Sequence, residues 1–115
     1  MQCTNANVDN LVVKDCLFSP SGASSQTGSG IFGKRFTLAR CDLSGTVDLV
    51  SIVGASGSTE VLDVFLLGNR FHGQLYEVPA PAWNDNMTHN DTIQIHFGGT
   101  TIEVIGNDFS GLADS

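Results

Sequence analysis

Apolar and polar residues alternate in short runs along this chain, and four of those runs share one ten-residue frame. They are Leu11 to Pro20 (LVVKDCLFSP), Phe36 to Gly45 (FTLARCDLSG), Val64 to Gly73 (VFLLGNRFHG) and Ile102 to Gly111 (IEVIGNDFSG). Apolar residues stand at positions one and three, Cys or Asn at six, Phe or Leu at eight, Ser or His at nine, and Gly or Pro at ten. Alternation at one and three is the period of a half-buried strand, and the turn residues that follow make the chain leave that strand at the same place each time. The copies start 25, 28 and 38 residues apart. That variable spacing fits stacked strands joined by loops of different length, whereas a helical repeat would hold its period.

A shorter strand is expected before three of the copies, at Gly30 to Phe32, at Val50 and Ile52, and at Ile93 and Ile95. Placing Val50 over Ile93 and Ile52 over Ile95 gives each turn of chain two short strands, the layout of an all-β, right-handed parallel β-helix of about four short coils. Phe18, Leu43, Phe71 and Phe109 then stack inside as one column. Cys16, Cys41, Asn69 and Asn107 fall at the turn beside them. A stack of inward Asn side chains satisfies backbone groups that a bend between parallel strands leaves open, and Cys at the same place is a small apolar filler.

The segment His89-Asn90-Asp91-Thr92-Ile93-Gln94-Ile95, followed by Gly98-Gly99 and then by Ile102 to Gly111, resembles a stretch of the secreted and phage-borne right-handed β-helix proteins of the pectate-lyase-like superfamily. Gly45-Thr46-Val47-Asp48 is similar to the step one coil earlier. The resemblance spans nearly the whole chain and implies an extracellular or virion-surface location. It specifies fold more than activity, because that superfamily holds lyases, hydrolases, epimerases, tailspikes and non-catalytic binding modules.

With 115 residues the chain has the size of one domain, residues 1–115. No apolar run approaches the roughly 20 residues that span a bilayer, and the polar start after Met1 has no basic-then-apolar leader, so no membrane insertion is expected. Five Lys and Arg stand against twelve Asp and Glu, a formal charge of −7. A nucleic-acid partner would need a basic stripe, and none is present. Of the three cysteines, Cys16 and Cys41 fall at equivalent positions of neighbouring coils, where a reduced stacked pair, a disulfide and a metal pair are the alternatives.

The longest interval contains one insertion, residues 74–90, with the only Trp and the only Tyr of the chain and two of its three prolines. Long loops on a rigid scaffold carry binding sites, and flat rings beside polar groups suit a polysaccharide. The ligand-binding candidates are therefore Trp83, Tyr76, Asp85 and His89. The alternative is that Trp83 folds the loop down as a lid. His72 aligns with Ser19, Ser44 and Ser110 and reads as a turn residue, and His96 is expected on the outer face beside Phe97. Catalysis of the kind the resemblance implies needs clustered carboxylates, with Asp48, Asp91, Asp85 and Glu77 as candidates and calcium as the cofactor they could hold. A lyase also needs a basic residue, and no Lys or Arg follows Arg70. Four coils leave a sheet edge open at each end, so the chain is expected to belong to a longer β-helix or to meet its own or partner chains there, with a trimer favoured. The sequence thus points to a non-catalytic structural or carbohydrate-contacting module of a larger assembly, such as a phage appendage or capsid-surface protein. The alternative is a fragment of a secreted polysaccharide lyase or glycoside hydrolase.

Overall fold

The computed structural model describes residues 2–3, 6–19, 29–54, 61–74, 90–97 and 100–111. Among these residues the fold is all-β, with no helix. The strands are β1 (Gln2–Cys3), β2 (Ala6–Lys14), β3 (Leu17–Phe18), β4 (Ser29–Ala39), β5 (Asp42–Leu43), β6 (Asp48–Val53), β7 (Val61–Leu67), β8 (Arg70–Phe71), β9 (Ile93–His96), β10 (Thr100–Ile105) and β11 (Asp108–Phe109). Every pairing between them is parallel.

The pairings define three stations that the chain visits in the same order four times. At the first station the beginnings of β2 and β4 stack with β6 and β9, through Ala6, Ile31, Val50 and Ile93. At the second, the ends of β2 and β4 stack with β7 and β10, through Val13, Leu38, Leu66 and Val104. At the third, β1, β3, β5, β8 and β11 stack through Cys3, Phe18, Leu43, Phe71 and Phe109. The register expected from the sequence is therefore observed for the Phe18 to Phe109 column and for Val50 over Ile93 and Ile52 over Ile95.

Two features differ from that expectation. Each pass has a third paired position beyond the two expected, because the Phe or Leu at position eight sits in a two-residue strand of its own; passes three and four carry three separate strands, while β2 and β4 run unbroken through the first two stations. The first pass also has a first-station strand, the beginning of β2, whose Ala6-Asn7-Val8-Asp9 is too weakly apolar to stand out as a sequence.

Corners between stations recur because the backbone turns left-handed at fixed points. Asn10, Arg35, Asp63 and Thr101, each one residue before position one, have φ of 56°, 50°, 42° and 58°. Asp15, Arg40, Gly68 and Gly106, all at position five, have φ of 55°, 51°, 63° and 66°. Glycine reaches this region without steric cost and Asn or Asp at little, which suits Asn10, Asp15, Asp63, Gly68 and Gly106, whereas Arg35, Arg40 and Thr101 are held there against their preference.

The core is the inside of the middle passes. Ile31, Leu38, Leu43, Leu49, Val50, Ile52, Leu62, Val64, Leu66 and Phe71 have no exposed surface. Inward residues of the fourth pass do not close it: Ile95, Val104 and Phe109 remain 51%, 45% and 44% exposed. At the second corner, a ladder of side chains ties the passes together. Cys41 N–H donates to Asn69 Oδ1 (2.9 Å), and Asn69 N–H donates to Asn107 Oδ1 (2.8 Å). Asn69 Nδ2 reaches Leu38 O and Asn107 Nδ2 reaches Leu66 O, both at 2.8 Å. Cys16 and Cys41 are buried free thiols, donating to Lys14 O (3.1 Å) and Ala39 O (3.3 Å). Burial pushes the Cys41 thiol above its ordinary value, which keeps it protonated and unreactive.

Candidate functional site

The stacking that aligns the repeats also brings Asp48 and Asp91 together. Asp48 opens β6 and Asp91 stands two residues before β9, one pass further on. Asp91 N–H donates to Asp48 Oδ1 (3.0 Å), and Leu49 N–H donates back to Asp91 O (3.2 Å). Thr46 Oγ1 donates to the carbonyl of Asp48 and so fixes the bend that leads into β6. Burial raises the Asp48 carboxyl above the usual carboxylate range. The Asp91 N–H opposes that rise, the Asp91 charge adds to it, and His96 draws it down. Asp91 itself is exposed.

The insertion is anchored at this step by its two end residues, Gln74 and Asn90, neither of them a site candidate from the sequence. Gln74 Nε2 (3.1 Å) and Asn90 Nδ2 (2.9 Å) both donate to Val47 O. Its two ends therefore leave from and return to one point on the pass below, next to Asp48 and Asp91. An amide at each end of the loop was the available signal, but it needed the register to identify Val47 as the common acceptor. Tyr76, Glu77, Trp83, Asp85 and His89 lie outside the described residues, so of the candidate set the structure brings together Asp48 and Asp91.

That pair can do two things chemically. Its oxygens can accept hydrogen bonds, as Asp48 does from Asp91, and the raised Asp48 carboxyl can hold a proton at milder acidity than an ordinary carboxyl. Among the described residues no group of three or more His, Cys, Asp or Glu side chains converges.

Of the remaining histidines, His72 is tied into the scaffold. His72 Nε2 bonds Asp42 Oδ1 on the preceding pass, and Arg70 stands 3.7 Å from the other Asp42 oxygen. Arg35 pairs with Asp9 at 2.6 Å, and Arg40 grips Asp15 through both carboxylate oxygens at 2.8 and 3.0 Å. Each of these three arginines meets an aspartate one pass below it. His96 is half-buried, with its ring 6.3 Å from that of the exposed Phe97. A groove runs along the second corner over Asp15, Arg40, Asp42 and Arg70, but its charges are already paired with one another.

No protein-family model, curated protein or solved structure matches the chain.

Proposed function

We propose that this chain is a right-handed parallel β-helix of the pectate-lyase-like kind, serving as a non-catalytic structural or carbohydrate-contacting module of a larger assembly on a virion or other extracellular surface. The observation that carries this reading is the use made of Asp48. Its carboxylate oxygen receives the Asp91 backbone N–H, so the best-placed acidic pair of the described residues works as a clamp between passes. No Lys or Arg follows Arg70 in the sequence to take a proton from a uronate. The insertion, held at both ends on Val47, is the surface assigned to a polysaccharide, with Trp83 and Tyr76 as stacking rings and Asp85 and His89 as hydrogen-bonding partners. The half-open fourth pass is the surface assigned to neighbouring chains.

The raised Asp48 carboxyl favours one second reading, a polysaccharide hydrolase or lyase fragment in which Asp48 is the acid. A glycan array combined with reducing-end and unsaturated-uronate assays separates the two. The module reading expects glycan retention that is lost in Trp83→Ala, with neither product formed. Turnover that disappears in Asp48→Asn would establish the enzyme instead. Retention of no glycan would leave only the structural role.

A further inference from the structure

The outward face of the second station is apolar where a solvent-facing sheet is usually polar. Two columns run down it. One holds Val12, Thr37, Phe65 and Glu103 on successive passes, the other Lys14, Ala39, Leu67 and Ile105. Val12 and Ile105 are 64% and 56% exposed, while Phe65 and Leu67 are half-buried. Thr37 is the low point of its column between Val12 and Phe65, and a groove of about 260 Å³ opens there, lined also by Leu11 and the corner residues Asn10, Arg35 and Asp63.

We infer that this face pairs with the same face of a second copy, about a two-fold axis that lies along the strand direction between passes two and three. The axis exchanges pass one with pass four and pass two with pass three; the residues it brings opposite one another at the middle passes are complementary in size, and at the outer ends Val12 faces the aliphatic part of Glu103. Phe65 of each copy faces Thr37 of the other and enters its groove. Leu67 faces Ala39. Large side chains thus meet small ones in both columns. At the outer ends, the aliphatic stem of Lys14 lies against Ile105, and its ammonium reaches Glu103 two residues along the same strand, on the facing copy. A two-fold axis along the stack would leave Lys14 and Glu103 three passes apart, so the charges select between the two arrangements.

Sheets packed in this way have their strands aligned, the usual face-to-face geometry. The contact is isologous and closes on itself, leaving the ends of the stack free. Two short columns of side chains supply few fully buried anchors, so the dimer is expected at micromolar dissociation constants or weaker. It follows from the observed register and does not depend on the polysaccharide reading.

Sedimentation equilibrium over micromolar to submillimolar concentrations tests it. The mass is expected to climb from 12.2 kDa toward twice that value. Thr37→Arg, which fills the groove with a charge, is expected to hold the chain at monomer mass. Lys14→Glu and Glu103→Lys should each weaken association about fivefold, and the double exchange should restore it. All four substituted proteins are checked by urea unfolding, and since the side chains point outward their midpoints should match the parent. A mass that stays at 12.2 kDa throughout, or a closed trimer, overturns the inference. So does a dimer that survives Thr37→Arg but dissolves on Val104→Ser at the open fourth pass, since that dimer forms end to end.

Discussion

Asn69 is the residue on which most depends for its size. Its side chain accepts from Cys41 N–H and donates to both Leu38 O and Asn107 Oδ1, so it links three passes at a corner where parallel strands part. Asn69→Ala would leave two backbone groups buried without partners, and its cost in urea unfolding is expected to be roughly 2–4 kcal/mol. The Asn at position six was visible in the sequence because it recurs. The partners of Asn69 were not, since they lie 28 to 38 residues away. Thr101 presents the opposite case. It is a β-branched residue held at φ 58°, where the equivalent first-pass residue is Asn10. Thr101→Asn is expected to stabilise the protein by about 0.5–1 kcal/mol, read as a rise in the unfolding midpoint with unchanged slope. No hydrophobic pattern could have exposed that strain, because it belongs to the backbone of a corner. The cross-pass arginines were hidden in a similar way. Asp9, Asp15 and Asp42 look like ordinary turn and surface acids until the register sets Arg35, Arg40 and Arg70 above them.

The two-residue third-station strands show how much an element's worth depends on its place in the stack. Phe71 in β8 is fully buried and its ring stacks on Phe109 at 5.1 Å, whereas Phe109 in β11 is 44% exposed. Phe71→Ala is expected to cost roughly 3–5 kcal/mol. Phe109→Ala, the same chemistry at the same repeat position, should cost less than half of that. Equal costs in chemical unfolding would mean that the fourth pass is covered in solution. The sequence made this column legible because position eight is aromatic or Leu in every copy, and residues spaced by whole repeats must stack. It did not show that these pairs form separate strands, since two residues are too few for any periodicity. Nor did it show that β4 carries straight through the corner at Arg35, because the long run from Ser29 to Ala39 is apolar on both sides of the bend.

Across the whole molecule, acid has opposing effects that the two perturbed aspartates separate. The folded-state carboxyl of Asp48 lies above its ordinary value, so the folded chain binds its proton first, and this residue adds stability as pH falls from neutral toward the ordinary carboxylate range. Asp15 is held below its ordinary value by the Arg40 hydrogen bond, so its contribution is present above the ordinary carboxylate range and disappears as pH falls through the folded-state value. Thermal melts should therefore rise as pH falls from 7 toward about 4 and fall only on further acidification, and Asp48→Asn, which keeps an oxygen for Asp91 N–H, should remove the rise. A parent protein that only loses stability on acidification would contradict the burial of Asp48. Passes that bond only to their neighbours also have a mechanical consequence. Pulled from its two ends along the stack, such a chain has no strand running the length of the load, and each pass can peel from the next while the others hold. Extension should come in discrete steps of unequal size, on the order of 90 Å of chain for the shorter intervals and 130 Å for the longest, following the spacings of 25, 28 and 38 residues between repeats. The molecule would act as a graded tether, with its insertion stored as the slack of its longest step.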